Sequence, residues 1–276
     1  MKTKIGIFSR TLPADHRRVT EVARLVEQAG GVAVTDGLSQ ADVVLVLGGD
    51  GTILRAADIV RDTNIPVIGV NFGHVGFLAE ADPESLHDVV NRLVRGEYEV
   101  EERLALQACV THPDGHTETG WALNECAIDK VERSGMIDVS IGIDGEPISS
   151  FSCDGVVIST PTGSTAYAFS GGGPVVWPDV EAIVIVPIAA HALFSRPMVI
   201  APGADISVHL DETGTSPAEI WCDGSRMLAA PVGSSLTITR TQQPVRLARL
   251  WNSPFAGRLV AKLRLPVRNW KHRGDQ

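Results

Sequence analysis

No run of about 18 apolar residues occurs in this 276-residue chain, so no membrane-spanning helix is expected. The opening MKTKIGIFSRTL holds too short an apolar stretch for a secretory signal. Basic residues are the minority charge: 24 Lys and Arg stand against 33 Asp and Glu, a net charge of -9 and a pI of about 5.4. A surface of that sign argues against nucleic acid or an anionic membrane as partner. It leaves room for anionic small ligands, because a local loop or a bound cation reverses the sign at one site. Cysteine is scarce. Cys109, Cys126, Cys153 and Cys222 form no C-x-x-C pair, which excludes the common zinc and thioredoxin-type motifs. Free, buried thiols in a reduced, cytoplasmic location are expected. Internal repeats and low-complexity segments are absent. A chain that is 44% hydrophobic and 21% charged is not disordered, and its length suits one large domain or two ordinary ones.

The first hundred residues alternate between strand and helix patterns. Ile5 to Phe8 is a short apolar run, and Val19, Val22, Ala23 and Val26 then recur at helical spacing up to Gly30-Gly31. Ala41 to Leu47 and Pro66 to Val70 read as strands buried on both faces, with a helical pattern from Ile53 to about Arg61 between them. Asp82-Pro83 looks like a helix start. Leu86, Val89, Val90, Leu93 and Val94 form an apolar stripe that Gly96 closes. The order predicts an α/β domain over 1–100 with an open, mostly parallel sheet. From residue 101 to 250 the period is two, as in Ile137, Val139, Ile141, Ile143 and in Ile206, Val208, Leu210, with Val245 and Leu247 as a last short piece. Turn pairs Asp144-Gly145 and Asp223-Gly224 punctuate these runs. This predicts a β-rich, two-sheet, sandwich-like domain. Residues 251–276 revert to helix: Phe255, Leu259, Val260 and Leu263 share one face after Ser253-Pro254, and that face is expected to pack back on the N-terminal domain. Lys271 to Gln276 are expected to fray.

Four segments carry chemistry. Gly48-Gly49-Asp50-Gly51-Thr52 lies between a buried strand and a helix, at the carboxyl end of a strand where α/β sheets bind ligands. Its glycines let backbone N–H groups approach a phosphate chain. A carboxylate in such a loop repels phosphate unless it holds a metal ion or takes a proton, so Asp50 is the best catalytic candidate; a tight turn capped by Asp50 is the structural alternative. No Gly-Lys-Ser/Thr follows, so the loop is not a Walker A. Arg55, one turn on, reaches the phosphates or lies on a solvated face. Asn71-Phe72-Gly73-His74-Val75-Gly76-Phe77-Leu78 follows the second buried strand; Phe77 lines an adenine pocket or belongs to the core, and His74 alone says little. Leu123-Asn124-Glu125 offers an amide and a carboxylate that suit neighbouring ribose hydroxyls, and is weak on its own. Between Ser159 and Thr165, five of seven residues are hydroxylic; that run suits a loop around a sugar or base, with Ala166 small enough for a flat ring and Tyr167 at its border.

Together these segments resemble the NAD kinase family, most closely its actinobacterial branch. GGDGT, NxGxxGFL, LNE and TPTGSTAYxxSxGGP stand in family order, followed by Val186-Pro187, His191-Ala192-Leu193 and Arg196-Pro197. The resemblance covers nearly the whole chain. GGDGT is shared with lipid kinases and 6-phosphofructokinases, whereas TPTGSTAY with an upstream LNE is specific. The resemblance implies an α/β domain, a β-sandwich-like domain and a cleft between them. It implies phosphoryl transfer to the 2′-hydroxyl of the adenosine ribose of NAD, giving NADP, with ATP or polyphosphate as donor and Mg²⁺ carried by that donor rather than by fixed protein ligands. Asp50 is similar to the residue that activates the hydroxyl, and Gly51 to a backbone contact with the dinucleotide. Asn124 and Glu125 resemble the pair on the nicotinamide-side ribose or amide region, and Asp154 a nicotinamide-side contact. Thr162, Thr165, Ala166, Tyr167 and Ser170 resemble the adenosine pocket. Gly48, Gly49, Thr52 and Arg55 are expected at the donor phosphates. Many relatives carry a basic residue just before the Asp154 position; this chain has Phe151-Ser152-Cys153, so no cation is expected from there. A homodimer or homotetramer is expected. A non-catalytic NAD(H)-sensing module and a lipid kinase are the alternatives.

Overall fold

The computed structural model describes residues 2–10, 13–72, 76–214, 216–251 and 254–267. Gly73, His74, Val75, Ser253 and the Lys271 to Gln276 tail therefore lie outside the described residues. The chain divides into two compact units, 1–102 with 246–276, and 103–245.

The first unit contains β1 (Lys4–Ser9), α1 (Pro13–Gln28), β2 (Val32–Val34), β3 (Val43–Leu47), α2 (Asp50–Ile59), β4 (Val67–Val70), α3 (Leu86–Arg95) and β5 (Glu99–Arg103). The pairs β1/β2, β1/β3 and β3/β4 are parallel. β3 is buried along its whole length because both faces are covered. On one face Val43, Leu45 and Leu47 join Val22 and Val26 of α1 and Val89, Val90 and Leu93 of α3 in one apolar cluster. On the other, Ile53 of α2 lies so close to β4 that a side chain on Gly69 would meet its Cδ1 at 2.3 Å. Parallel strands put all their carboxyl ends on one edge, so Arg10, Gly48 and Asn71, which follow β1, β3 and β4, emerge together.

The second unit holds β6 (Leu106–Thr111), β7 (Thr117–Ala122), β8 (Glu125–Lys130), β9 (Ile137–Ile143), β10 (Glu146–Cys153), β11 (Gly155–Ser159), the short α4 (Tyr167–Ser170), β12 (Ile183–Ile188), β13 (Met198–Ile200), β14 (Ile206–Leu210), β15 (Ala218–Cys222), β16 (Arg226–Ala230) and β17 (Ser235–Arg240). They form two six-stranded sheets, ordered β10-β9-β14-β17-β6-β7 and β13-β12-β11-β8-β15-β16. One core lies between them. Ile137, Val139, Ile141, Ile206 and Val208 of one sheet meet Ile128, Val156, Ile158, Ile183 and Ile220 of the other. This is the sandwich that the period of two predicts. The alternate residues of β11 and β12 are buried too, since Val157, Val184 and Val186 pack under Ala168 and Val176. Asp144-Gly145 and Asp223-Gly224 sit at hairpin turns with positive φ at all four residues.

The chain then returns to the first unit through β18 (Val245–Arg249) and α5 (Phe255–Leu263). This corrects one reading: the piece that holds Val245 and Leu247 does not add a strand to the sandwich. β18 enters the first sheet between β4 and β5, pairing with β4 in parallel. The face of α5 read from the sequence is half-buried, and Phe255 meets Phe77 with ring centroids 5.9 Å apart. Phe77 is thus spent on packing. Glu80, whose side chain is 1% exposed, joins the two stretches by accepting from Arg249 at 2.8 Å and Arg258 at 3.5 Å. Two helix starts also move. α2 begins at Asp50, not Ile53, with Gly49 as its N-cap. Asp82-Pro83 opens a 3₁₀ turn (Pro83–Ser85), and α3 follows at Leu86.

Candidate active site

In the first unit the site is built at the start of α2. Asp50 occupies the first turn, where the helix leaves backbone N–H groups without intrahelical acceptors. Its carboxylate is held rigidly: Oδ2 accepts from the Phe77 N–H and Oδ1 from the Leu78 N–H, each at 3.0 Å. The turn carrying those donors passes so close that a side chain on Gly76 would meet Asp50 Oδ1 at 2.3 Å. Each oxygen keeps a second lone pair for another donor. Beside Asp50 lies a cavity of about 250 Å³ lined by Arg10, Gly49, Asp50, Gly51, Thr52 and Arg55. Two guanidinium groups and a helix N-terminus around one cavity suit a polyanion. Gly48 and Thr52 serve packing as well, since a side chain on Gly48 would meet Thr52 Oγ1 at 2.6 Å. Arg10 escaped the sequence reading; the signal was its place just after a parallel strand.

In the second unit the Leu123-Asn124-Glu125 segment is clamped from both sides. The Asp223 carboxylate accepts the Asn124 N–H on Oδ1 at 2.7 Å and the Leu123 N–H on Oδ2 at 3.0 Å. Arg226 donates to Asp223 Oδ2 at 2.7 Å and to the Trp121 carbonyl at 2.9 Å, with its guanidinium 4.4 Å from the Trp121 ring centroid. From the opposite side the Thr160 hydroxyl donates to the Leu123 carbonyl at 2.6 Å, and the Thr160 N–H to the Asn124 carbonyl at 2.8 Å. Nothing local in the sequence links Asp223 to a segment 99 residues earlier, which is why it was passed over.

Glu125 is buried, 7% exposed. Burial first, then the neighbouring Asp223 charge, pushes its carboxyl up to about 8, against an N–H bond from Tyr167. Its Oε2 has no hydrogen-bond partner among the described residues. Such a group is ready to engage a ligand hydroxyl. Burial raises Asp223 also, against the N–H bonds and Arg226. The Tyr167 hydroxyl donates to Asp129 at 3.2 Å. Asp154 pairs with Lys130 Nζ of β8 at 2.5 Å, so a cation lies beside it although none stands just before it in the sequence.

The hydroxyl-rich run departs from its reading as a ligand-facing loop. Ser159, Thr160 and Ser164 are fully buried and Thr162 is 8% exposed. Their hydroxyls turn to the protein. Ser159 donates to the Asn124 and Thr160 carbonyls, and Ser164 donates to those of Pro161 and Val176. Thr162 Oγ1 accepts from the buried Arg103 at 3.1 Å. The loop is thus a scaffold tied to the segments around it. What it leaves towards solvent is half-buried Thr165 and Ala166 and exposed Tyr167 and Ser170. The structure therefore brings Asn124, Glu125, Thr162, Thr165, Ala166 and Tyr167 together. It separately groups Gly48, Gly49, Asp50, Gly51, Thr52 and Arg55.

Comparison with known proteins gives a consistent result. Residues 11–98 match the ATP-NAD kinase N-terminal domain family and residues 123–250 the ATP-NAD kinase C-terminal domain family. An NAD kinase from Thermobifida fusca is 46% identical over 281 residues, covering 99% of this chain and 85% of that protein. An NAD kinase from Mycobacterium leprae is 52% identical over 230 residues, covering 83% and 74%. Among solved structures, an Archaeoglobus fulgidus NAD kinase in complex with ATP superimposes with a TM-score of 0.79 at 28% identity, covering 95% of this chain and 99% of that one. Yeast NADH kinase complexed with NADH shares the fold, with a TM-score of 0.85 at 19% identity, covering 100% and 90%.

Proposed function

The chain belongs to the NAD kinase family, and on that premise we propose that it transfers the γ-phosphoryl group of ATP to the 2′-hydroxyl of the adenosine ribose of NAD. The observation that carries this reading is the family match over both halves of the chain, together with Asp50 fixed in the lining of a cavity that two arginines share. Phosphoryl transfer asks a protein mostly for alignment and charge stabilisation. Arg10, Arg55 and the first N–H groups of α2 supply fixed positive charge to the donor phosphates. Asp50 accepts the ribose proton as the 2′-oxygen bonds to the γ-phosphorus and the bond to the β-γ bridging oxygen breaks, releasing ADP. In the second unit Asn124 and Glu125 take the nicotinamide-side ribose, and Asp154 a contact beside it. Thr162, Thr165, Ala166, Tyr167 and Ser170 border the adenosine.

We extend the reading to Mg²⁺ and to polyphosphate as a second donor. Among the described residues Asp50 is the single carboxylate lining the donor cavity, too few for a protein-built cage, so the cation is assigned to the donor phosphates. When bound there it neutralises phosphate charge. Four free thiols support a reducing, cytoplasmic setting. Exposed Leu193 and Phe194, on the loop before β13, support a homodimer or homotetramer.

A coupled assay tests the activity. The protein is mixed with NAD, Mg²⁺ and ATP or polyphosphate, and NADP is read with an NADP-specific dehydrogenase. Asp50→Asn is expected to fold and to lose about 10²-fold or more in kcat. Wild-type turnover in that variant removes Asp50 from proton transfer. Folded wild-type protein that binds NAD and forms no NADP returns the reading to a sensing module, and phosphorylation of diacylglycerol to a lipid kinase.

A further inference from the structure

We infer that Asp223 and Arg226, at the turn between β15 and β16, are positioning residues for the acceptor: they set Asn124 and Glu125 in place without touching the substrate. The inference rests on the NAD kinase reading for its substrate and on the geometry alone for its mechanism. Three observations carry it. First, Asp223 accepts two consecutive main-chain N–H groups, those of Leu123 and Asn124, and its own N–H donates to the Glu125 carbonyl at 3.0 Å. A single hairpin turn therefore fixes three consecutive residues of the LNE segment. Second, Arg226 locks the anchor. It binds Asp223 Oδ2 and the Trp121 carbonyl with the same guanidinium while stacking on the Trp121 ring. A planar fork does this; a lysine does not. Third, the opposite side of the segment has no slack. Thr160 holds the Leu123 and Asn124 carbonyls, and a side chain on Gly163 would meet the Asn124 carbonyl oxygen at 2.1 Å.

Asp223 is also placed where its conformation demands it, at φ 52° followed by Gly224 at φ 61°. An aspartate tolerates this left-handed region better than most residues. The Asp223 side chain is wholly buried in its pair with Arg226, whose own side chain is 21% exposed. Asp223 is thus out of reach of a substrate and in reach of the segment that holds one. A misplacement of about 1 Å in a binding group is enough to cost on the order of 10²-fold.

The test compares Asp223→Asn, Arg226→Lys and wild type in NAD- and ATP-dependence, in amide hydrogen exchange of the free protein, and in thermal melting. Asp223→Asn is expected to raise the KM for NAD about tenfold or more, with the KM for ATP and kcat within twofold. The Leu123 and Asn124 amides should exchange at least tenfold faster while Ile128, in the middle of β8, is unchanged. Arg226→Lys, which keeps a cation beside Asp223, should fall between. Should Asp223→Asn fail to fold, Arg226→Lys and Arg226→Gln carry the same comparison. An unchanged KM for NAD overturns the inference. So does an equal rise in both KM values that tracks the fall in Tm. Absence of NADP formation by the wild type instead overturns the functional reading, and the exchange data alone then decide whether Asp223 fixes the segment.

Discussion

Asp50 and Glu125 are carboxyl groups held in opposite ways. Asp50 gives both oxygens to backbone N–H groups on one turn, so Asp50→Asn must present its amide nitrogen to one of those donors. Beyond the loss of turnover, the variant should therefore lose about 1–3 kcal/mol of stability, read as a lower denaturant midpoint. Glu125 has one oxygen tied and one open, in a buried place that pushes its carboxyl from 4.5 to about 8. The native chain then keeps its proton across a range where the unfolded chain ionises. The stability this group contributes is full below about pH 4.5, falls as pH rises towards 8, and is flat above. Glu125→Gln is neutral throughout. The Tm of that variant, minus the wild-type Tm, should grow from pH 5 to 8 and then level. A difference independent of pH would show that Glu125 is ionised in the folded chain.

At the scale of elements, the regular strands were legible and the loops were not. β3 reads as an unbroken apolar run because α1 and α3 cover one face and α2 the other. β9 and β14 alternate because only one face meets the sandwich core. Residue type does not tell where a hydroxyl points, so the Ser159 to Thr165 run looked like a ligand-facing wall, whereas Ser159, Thr160, Thr162 and Ser164 turn their hydroxyls to neighbouring protein groups. Period two does not name a partner strand, so β18 looked like part of the sandwich. Asp50, Asn124 and Glu125 were legible through motif resemblance. Lys130, Asp223 and Arg226 were not, because each acts through a neighbour supplied by folding, and Arg10 was not, because only the parallel sheet brings the end of β1 beside the start of α2. The close approach of the two loops of the second unit gives a further test. Gly163→Ala places a Cβ against the Asn124 carbonyl, and the NAD KM should rise about tenfold or more while the ATP KM stays within twofold. Initial-rate kinetics with each substrate varied in turn would check this.

For the molecule as a whole, the first unit is closed by the last stretch of the chain. Glu80 sits in the first hundred residues, and Arg249 and Arg258 in the returning segment. Arg249 also binds Glu101 at 2.7 Å. Removing it leaves Glu80 buried with Arg258, 3.5 Å away, as its remaining cation among the described residues. Arg249→Ala should cost roughly 3 kcal/mol, at the low end for a broken buried pair because Arg258 stays. Urea unfolding would measure it, and a loss under 1 kcal/mol would mean the Glu80 network adds little.

That closure sets a timetable for the nascent chain. The unit from 103 to 245 is continuous and is made in one stretch that ends as β18 begins, whereas the unit that begins first must wait for its inserted strand and closing helix. At about 5–20 residues per second the wait is roughly 10–30 s, during which the edges of β4 and β5 stand without β18. The sandwich should therefore acquire protease resistance before the α/β unit during synthesis. Released chains truncated at residue 244 should yield a protected sandwich and a degradable first hundred residues. The domain made first would be the domain finished last.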